Sequence, residues 1–423
     1  MAIYAFDILW QPAWGNLSAG HLFAGVTAIY IAYLSFGRRK KVNSLYNEPP
    51  MVPYKWPFFG HAFEFEECGV RFLDQCREKY GSTFNIYMFG QTTTVIGTDL
   101  AAEALKASDS QLSVHDAAND EIHEHPDIVT MMRAIPDDIA ASIVAYEMFP
   151  IKWLARLMLP NTAAIDRHYQ TIEKLIVPEI HRRRRASTRN DNVHPVDVLQ
   201  FLINFCDKSG KSYTLNELPG KLMYFIHTLT ENVSFSALHF LYDVAGRPEI
   251  RARLYREQQK VVAKHGTAFT IEALSDMQYM DACMRETLRM HVHALGTVRK
   301  ARRMHTFSNG LSVPAGRRCM LHTQATNFNP EVYDSPSEYM PDRHLGKPGV
   351  HSTAIGPAYL IFGLGRHACP GRYYATAQMK MFVAWLLRRY DLTTRSGGRP
   401  ENKTQNGLYS PVEEPIVFTL RHT

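Results

Sequence analysis

Apolar and polar residues are distributed along this chain in three patterns. Residues 17–36 (LSAGHLFAGVTAIYIAYLSF) run without an Asp, Glu, Lys or Arg, long enough as a helix to cross a bilayer core. Downstream, apolar residues recur at the helical period of three and four. That period predicts helices over 69–80, 101–107, 165–185, 195–206, 215–244, 248–265, 280–290 and about 371–390. Strand-like runs at 84–88 and 93–96 flank Phe89-Gly90-Gln91 as a hairpin. Further strands are expected at 297–299, 311–314 and 318–321, with a terminal strand pair ending at 415–418. Helix outweighs strand and no internal repeat is present, so the pattern predicts a mainly α body with small sheets at one side.

The flanks of the first apolar run decide its reading. Arg38, Arg39, Lys40 and Lys41 follow it at once, and Trp10, Trp14 and Tyr33 suit the two membrane interfaces. Asp7 leads the run where a cleavable signal would carry cations, so an uncleaved anchor is expected, with the basic side cytoplasmic. Pro49, Pro50 and Pro53 lock the backbone after it. The expected organisation is therefore an anchor with its basic flank at 1–41, a Pro-rich hinge at 42–55 and a catalytic body at 56–423.

Composition narrows the class. The 423 residues are 45% hydrophobic and 21% charged with a net charge of +6, which excludes a disordered chain and is too thin and dispersed for a nucleic-acid reader. Cys68, Cys76, Cys206, Cys283, Cys319 and Cys369 are unevenly scattered and form no disulfide framework or zinc pattern. They read as buried thiols in a reducing compartment, with at most one doing chemistry. Two charged runs are read as solvated: 113–127 (SVHDAANDEIHEHPD), which lacks metal-ligand spacing, and 181–185 (HRRRR), whose cations suit a helix end.

The run Phe362-Gly363-Leu364-Gly365-Arg366-His367-Ala368-Cys369-Pro370-Gly371 carries the candidate chemistry. Glycines on both sides of the cysteine allow a tight turn and close approach to a flat ligand. The long predicted helix that follows places the sulfur at a positive dipole end, which favours its anionic form as a metal ligand. The run resembles the haem-ligand signature of the cytochrome P-450 family, F-x-x-G-x-(R/H)-x-C-x-G, with Phe362, Gly365, His367, Cys369 and Gly371 at its fixed positions. Glu286-Thr287-Leu288-Arg289 resembles the family's E-x-x-R, and Pro341-Asp342-Arg343-His344 its P-E-R-F, with Asp for Glu and His for Phe.

The resemblance implies the cytochrome P-450 fold and a monooxygenase acting on a hydrophobic substrate, with the sterol demethylase, bile-acid sterol hydroxylase and prostacyclin synthase clan most similar. It implies haem b with the Cys369 thiolate as axial ligand, Arg299 and His367 toward haem propionates, and Phe362 on the proximal face. Glu286, Arg289 and Arg343 would form a structural network. Partners would be an NADPH-dependent reductase, docking near Arg366, His367 and Arg372, and the lipid bilayer of the endoplasmic reticulum. The substrate class implied is a sterol, steroid or terpenoid. Glu231 and Asn232 match the oxygen-activating helix, where Asn232 replaces the usual threonine, and an amide relays protons less simply than a hydroxyl. That exchange leaves open a reductase-independent isomerase or dehydratase of oxygenated lipids. The chain is also shorter than a membrane-anchored member should be. The shortfall falls near 108–132, where the B′, C and D helices are expected, which leaves open a non-catalytic form with impaired haem binding.

Overall fold

Where the sequence has helical periodicity the backbone is helical, and most differences lie at the ends. The computed structural model describes residues 47–56, 59–88, 90–108, 110–113, 160–188, 197–206, 210–291, 295–405, 408–411 and 414–421. The apolar run at 17–36, its basic flank and the acidic, histidine-rich run beyond Ser113 lie outside these residues. Among the described residues no helix is long and apolar enough to cross a membrane. In chain order come α1 (Ala62–Tyr80), the hairpin β1 (Phe84–Met88) and β2 (Gln91–Ile96), α2 (Thr98–Lys106) and β3 (Leu112–Ser113). Then follow α3 (Pro160–Thr188), α4 (Val198–Asn204), α5 (Leu218–Ala245), α6 (Pro248–His265), α7 (Ile271–Ser275) and α8 (Gln278–Met290). The last third holds β4 (Leu295–Ala301), β5 (His305–Thr306), β6 (Ser312–Val313), β7 (Arg318–His322) and α9 (Thr323–Asn327). It ends with α10 (Arg372–Arg389), β8 (Tyr390–Thr394), β9 (Asn402–Gln405), β10 (Leu408–Pro411) and β11 (Ile416–Leu420).

The chain divides into two compact units, one of residues 1–38 and 119–232, the other of 39–118 and 233–423. In the first, Ile172, Ile176 and Ile180 stand four apart on α3 and pack with Leu202, Leu218 and Met223. The basic run at the end of α3 is not evenly solvated, as its charge had suggested. Arg183 is 8% exposed and binds Asp197 at 2.7 Å and Glu179 at 2.7 Å. Asp197 is also the N-cap of α4, accepting the Gln200 N–H at 2.8 Å. One arginine thus staples two helices while Arg182, Arg184 and Arg185 stay exposed.

The second unit holds a five-stranded sheet in the order β1-β2-β7-β4-β3. Only β2 and β7 run parallel, with Val95 opposite Met320; the other neighbours are antiparallel. The expected terminal strand pairs with β8, Phe418 opposite Leu392. β8 follows α10 without a break, so the helical period runs on to its first residue. The main core gathers Phe240 and Val244 of α5, Leu254 of α6, Met280 and Met284 of α8, and Val383 and Leu387 of α10.

A buried charge cluster ties α8 to the segment after α9. Glu286, 0% exposed, accepts from Arg289 Nε and Nη2 at 2.8 and 2.9 Å, Arg343 Nε at 3.0 Å, His344 Nε2 at 2.7 Å and the Met340 N–H at 3.0 Å. Burial alone would push this carboxyl up; the bonds from Arg289 and His344 outweigh it and bring it down to about 2. Burial dominates at His344 and lowers its pKa, so a neutral ring donates its Nε2–H. His344, a departure from the family's phenylalanine, is therefore a member of the cluster. Asp342, the other departure, lies outside it and pairs with Arg253 at 2.8 Å.

Glu286→Gln would leave Arg289 and Arg343 without their anion and is expected to cost about 3–5 kcal/mol in urea unfolding. Because the folded carboxyl lies at about 2 against an ordinary 4.5, its contribution is complete above about pH 4.5 and is lost as pH falls toward 2. That part of the acid dependence should be absent from the variant.

Candidate active site

The cysteine loop is held by its own backbone before any ligand is considered. The Cys369 N–H donates to the Phe362 carbonyl at 2.7 Å, and the Ala368 N–H to Gly365 at 3.2 Å, closing a short 3-10 turn over Gly365–His367. Gly365 has φ +73°, and a Cβ on it would meet the Leu105 carbonyl oxygen of α2 at 3.1 Å. The position needs glycine for both its conformation and its closeness to α2. Leu360 and Leu364 are buried against Ala101 and Leu105 of α2 and Leu321 of β7. On its other side the loop enters α10, the Ala375 N–H donating to Gly371 at 2.9 Å.

Cys369 itself is half-buried, with a free thiol. The other described thiols differ in kind. Burial pushes Cys76 up to about 11 and Cys319 up to about 12, and raises Cys283 well above its ordinary value. These three are protonated packing groups, and Cys206 is an exposed thiol. Cys369 thus combines partial access, a fixed turn and an adjacent helix N-terminus.

Arg372 behaves differently from a free basic side chain. Its Nη1 donates back to the Cys369 carbonyl at 2.6 Å and its Nε to Thr353 at 3.2 Å, while its guanidinium lies 4.4 Å from the Tyr373 ring centre. It secures the loop exit as well as adding charge. Arg299, on β4, is 1% exposed and gives Nη1 to the Val298 carbonyl at 3.0 Å. His367 is half-buried on the 3-10 turn. Phe362 is partly buried against the main core and meets Tyr359 edge-on at 6.5 Å.

Glu231 and Asn232 fall in the first unit, whereas Cys369, Arg299, Phe362 and His367 fall in the second. Both acid and amide are on α5. Asn232 is exposed and donates Nδ2 to the Thr228 carbonyl one turn back at 3.3 Å, a bond within its own helix. The Glu231 side chain lies outside the described residues. Sequence reasoning missed Thr353, whose carbonyl orders Arg372, and the fastening role of Leu360 and Leu364; Leu364 stands inside the cysteine run at a position its pattern leaves open.

A family profile described as Cytochrome P450 (here P-450) matches residues 49–119 and 119–418 of the chain. Human lanosterol 14-alpha demethylase is 23% identical over 488 aligned positions, covering 97% of this chain and 94% of the relative. The cytochrome P-450 monooxygenase ausG of Emericella nidulans is 24% identical over 300, covering 68% and 56% respectively. A solved structure described as retinoic acid bound cyanobacterial CYP120A1 shares the fold with a TM-score of 0.65 at 19% identity, over 89% of this chain and 100% of that one.

Gly365→Ala is expected to lower stability by about 1–3 kcal/mol, the usual cost of holding a non-glycine residue in a left-handed conformation. The same change should raise the reactivity of Cys369 toward maleimide in the haem-free chain, because the turn that half-covers it would shift from α2. Thermal unfolding and mass spectrometry of the labelled peptide measure the two effects.

Proposed function

The chain belongs to the cytochrome P-450 family and is a P-450 monooxygenase, and from that premise we propose that it oxidises a hydrophobic sterol-, steroid- or terpenoid-like substrate with electrons from an NADPH-dependent reductase. The observation that carries this reading is a half-buried, free Cys369 on a glycine turn at the mouth of α10. The substrate class is supported by relatives named lanosterol 14-alpha demethylase, at 21–23% identity.

The residues present fit haem b. A soft sulfur at a helix N-terminus suits iron. Arg299 offers a buried guanidinium and His367 an imidazole, the donor types that suit two ring carboxylates. Cys369 would hold the iron, Arg299 and His367 the carboxylates, and Phe362 the proximal ring face. Haem held by thiolate supplies oxygen activation, the sulfur favouring O–O cleavage. The chain's own part is positional: the Phe362–Cys369 backbone bond and the Leu360 and Leu364 contacts fix the sulfur before the ligand arrives. Glu231 and Asn232 would manage protons and water on the opposite side, Asn232 by donating and accepting hydrogen bonds without carrying a proton itself.

We further propose that the body is a shortened form of the fold behind an N-terminal anchor in the endoplasmic reticulum membrane. The two profile matches meet at residue 119. The alignment to the human demethylase takes 488 positions for 97% of 423 residues, about 410, so about 80 positions of the relative face gaps. This length deficit favours one second reading, a chain whose hold on haem is weakened on the side the missing residues would cover.

The reduced, CO-bound absorption spectrum tests the assignment. A red-shifted thiolate band is expected in the native protein, and Cys369→Ser should lose it. Absence of any haem band in the native protein would favour the second reading. Product formation that proceeds without NADPH or reductase would overturn the monooxygenase substrate reading in favour of an isomerase.

A further inference from the structure

A second buried cluster, unrelated to the haem reading, centres on Asp243 near the end of α5. Its carboxylate is completely buried. It takes Arg247 Nη1 at 2.6 Å from the turn between α5 and α6, the Thr287 hydroxyl at 2.7 Å and His291 Nε2 at 3.1 Å from α8 and its cap, and Arg399 Nε at 2.8 Å from the loop before β9. Arg399 also gives Nη2 to His239 Nδ1 at 3.0 Å. His239 and His291 stack with ring centres 4.6 Å apart and planes at 9°. Asn402, the first residue of β9, gives Nδ2 to His291 Nδ1 at 2.9 Å. The loop runs so close to α5 that a Cβ on Gly246 would collide with the Arg399 backbone. Tyr339 closes the remaining side, with its ring 4.1 Å beneath the Arg247 guanidinium and its hydroxyl on Thr287 at 3.1 Å.

The hydrogen bonds fix the protonation state. A carboxylate on Nε2 requires a proton there, and an amide donor on Nδ1 requires a lone pair, so His291 is neutral. His239 must likewise accept at Nδ1. Among the described residues, the charged groups that bond to this centre are one anion, Asp243, and two cations, Arg247 and Arg399. A proton added to either imidazole would place a third positive charge around one buried carboxylate and remove an acceptor from Arg399 or Asn402. Burial, opposed by Asp243, lowers the His291 pKa, and Arg399 and Arg247 lower it further.

We infer that the stacked His239 and His291 form an acid-sensitive latch in which Arg399 and Asn402 are positioning residues for the C-terminal hairpin β9–β10. Both side chains stand at the root of that hairpin, three residues apart, and both end on the same Asp243–His291 centre. The hairpin strands pair only with each other, Tyr409 opposite Thr404, so its placement depends on that root and on its packing against α1. The latch is closed with neutral histidine. As pH falls below the ordinary histidine value of about 6.5, the open form takes up a proton that the closed form refuses. Opening then gains up to about tenfold per pH unit for each histidine released.

Hydrogen–deuterium exchange of the full chain, corrected for the intrinsic pH dependence of exchange, reads the latch at the amides of 402–405 and 408–410. Protection there is expected to fall about tenfold or more between pH 7 and pH 5, while β11 amides stay protected. Arg399→Met should exchange fast at both pH values. His291→Phe, which keeps a ring in the stack but cannot titrate, should reduce the response to that of His239 alone, so the test stands even if Arg399→Met fails to fold. Hairpin protection that does not change with pH in the native chain would overturn the latch. So would parallel loss in β11, or an unchanged pH response in His291→Phe.

Discussion

The constraint on which this molecule depends is that a long, largely buried helix, α8, packs against segments that are not regular structure. From Tyr279 to Arg289 every residue of α8 except Asp281 is buried, and loops carry backbone groups that must find partners away from water. An apolar helix could not supply them. Arg289 gives Nη1 to the carbonyls of Asn327 and Pro336, each at 2.8 Å, and Asn327 returns its amide to the Arg289 carbonyl at 3.3 Å. Asp281, two turns earlier, accepts the Ser352 N–H at 2.7 Å and its hydroxyl at 2.6 Å, and Lys380 of α10 at 3.2 Å. Each buried ion on α8 is there because an irregular chain passes over it.

Helical geometry lets one element serve two networks without mixing them. Glu286 and Arg289 are three apart and share a face; they look toward the segment from Asn327 to His344. Thr287 and His291 are four apart on a different face and look toward Asp243 of α5 and the C-terminal loop. Tyr339 is the link, bonded to Thr287 and to the Cys283 carbonyl at 2.9 Å, while its neighbour Met340 gives its N–H to Glu286. Two anions, each ringed by cations and neutral donors, thus stand back to back. Breaking one should not free the other, because each carboxylate has its own full set of partners.

Local patterns made part of this legible from sequence. Helical period located the long helices, and the glycines around Cys369 announced a turn whose hydrogen bonds join residues at most seven apart. Glu286 and Arg289 can be paired from their spacing. His344 could not be added to them, because it comes from 58 residues downstream and stands where an aromatic was expected. The Asp243 cluster had no signal at all: its partners lie 44 and 156 residues away on one-off positions. The strands β8 and β9 escaped for another reason. β8 continues directly from α10, and β9 and β10 are short and pair only with each other, so neither alternates long enough to register as a strand.

The placement of the supports around Cys369 bears on how a shortened body could still work. Among the described residues, the loop is held by α2 at 98–106, β7 at 318–322, Thr353, the main core against Phe362, and the loop and α10 themselves. Arg299 matters most in that setting. It is anchored in a five-stranded sheet whose β4 and β7 lie far in sequence from residue 119, where the two profile matches meet, so a carboxylate partner on this strand would survive the shortening.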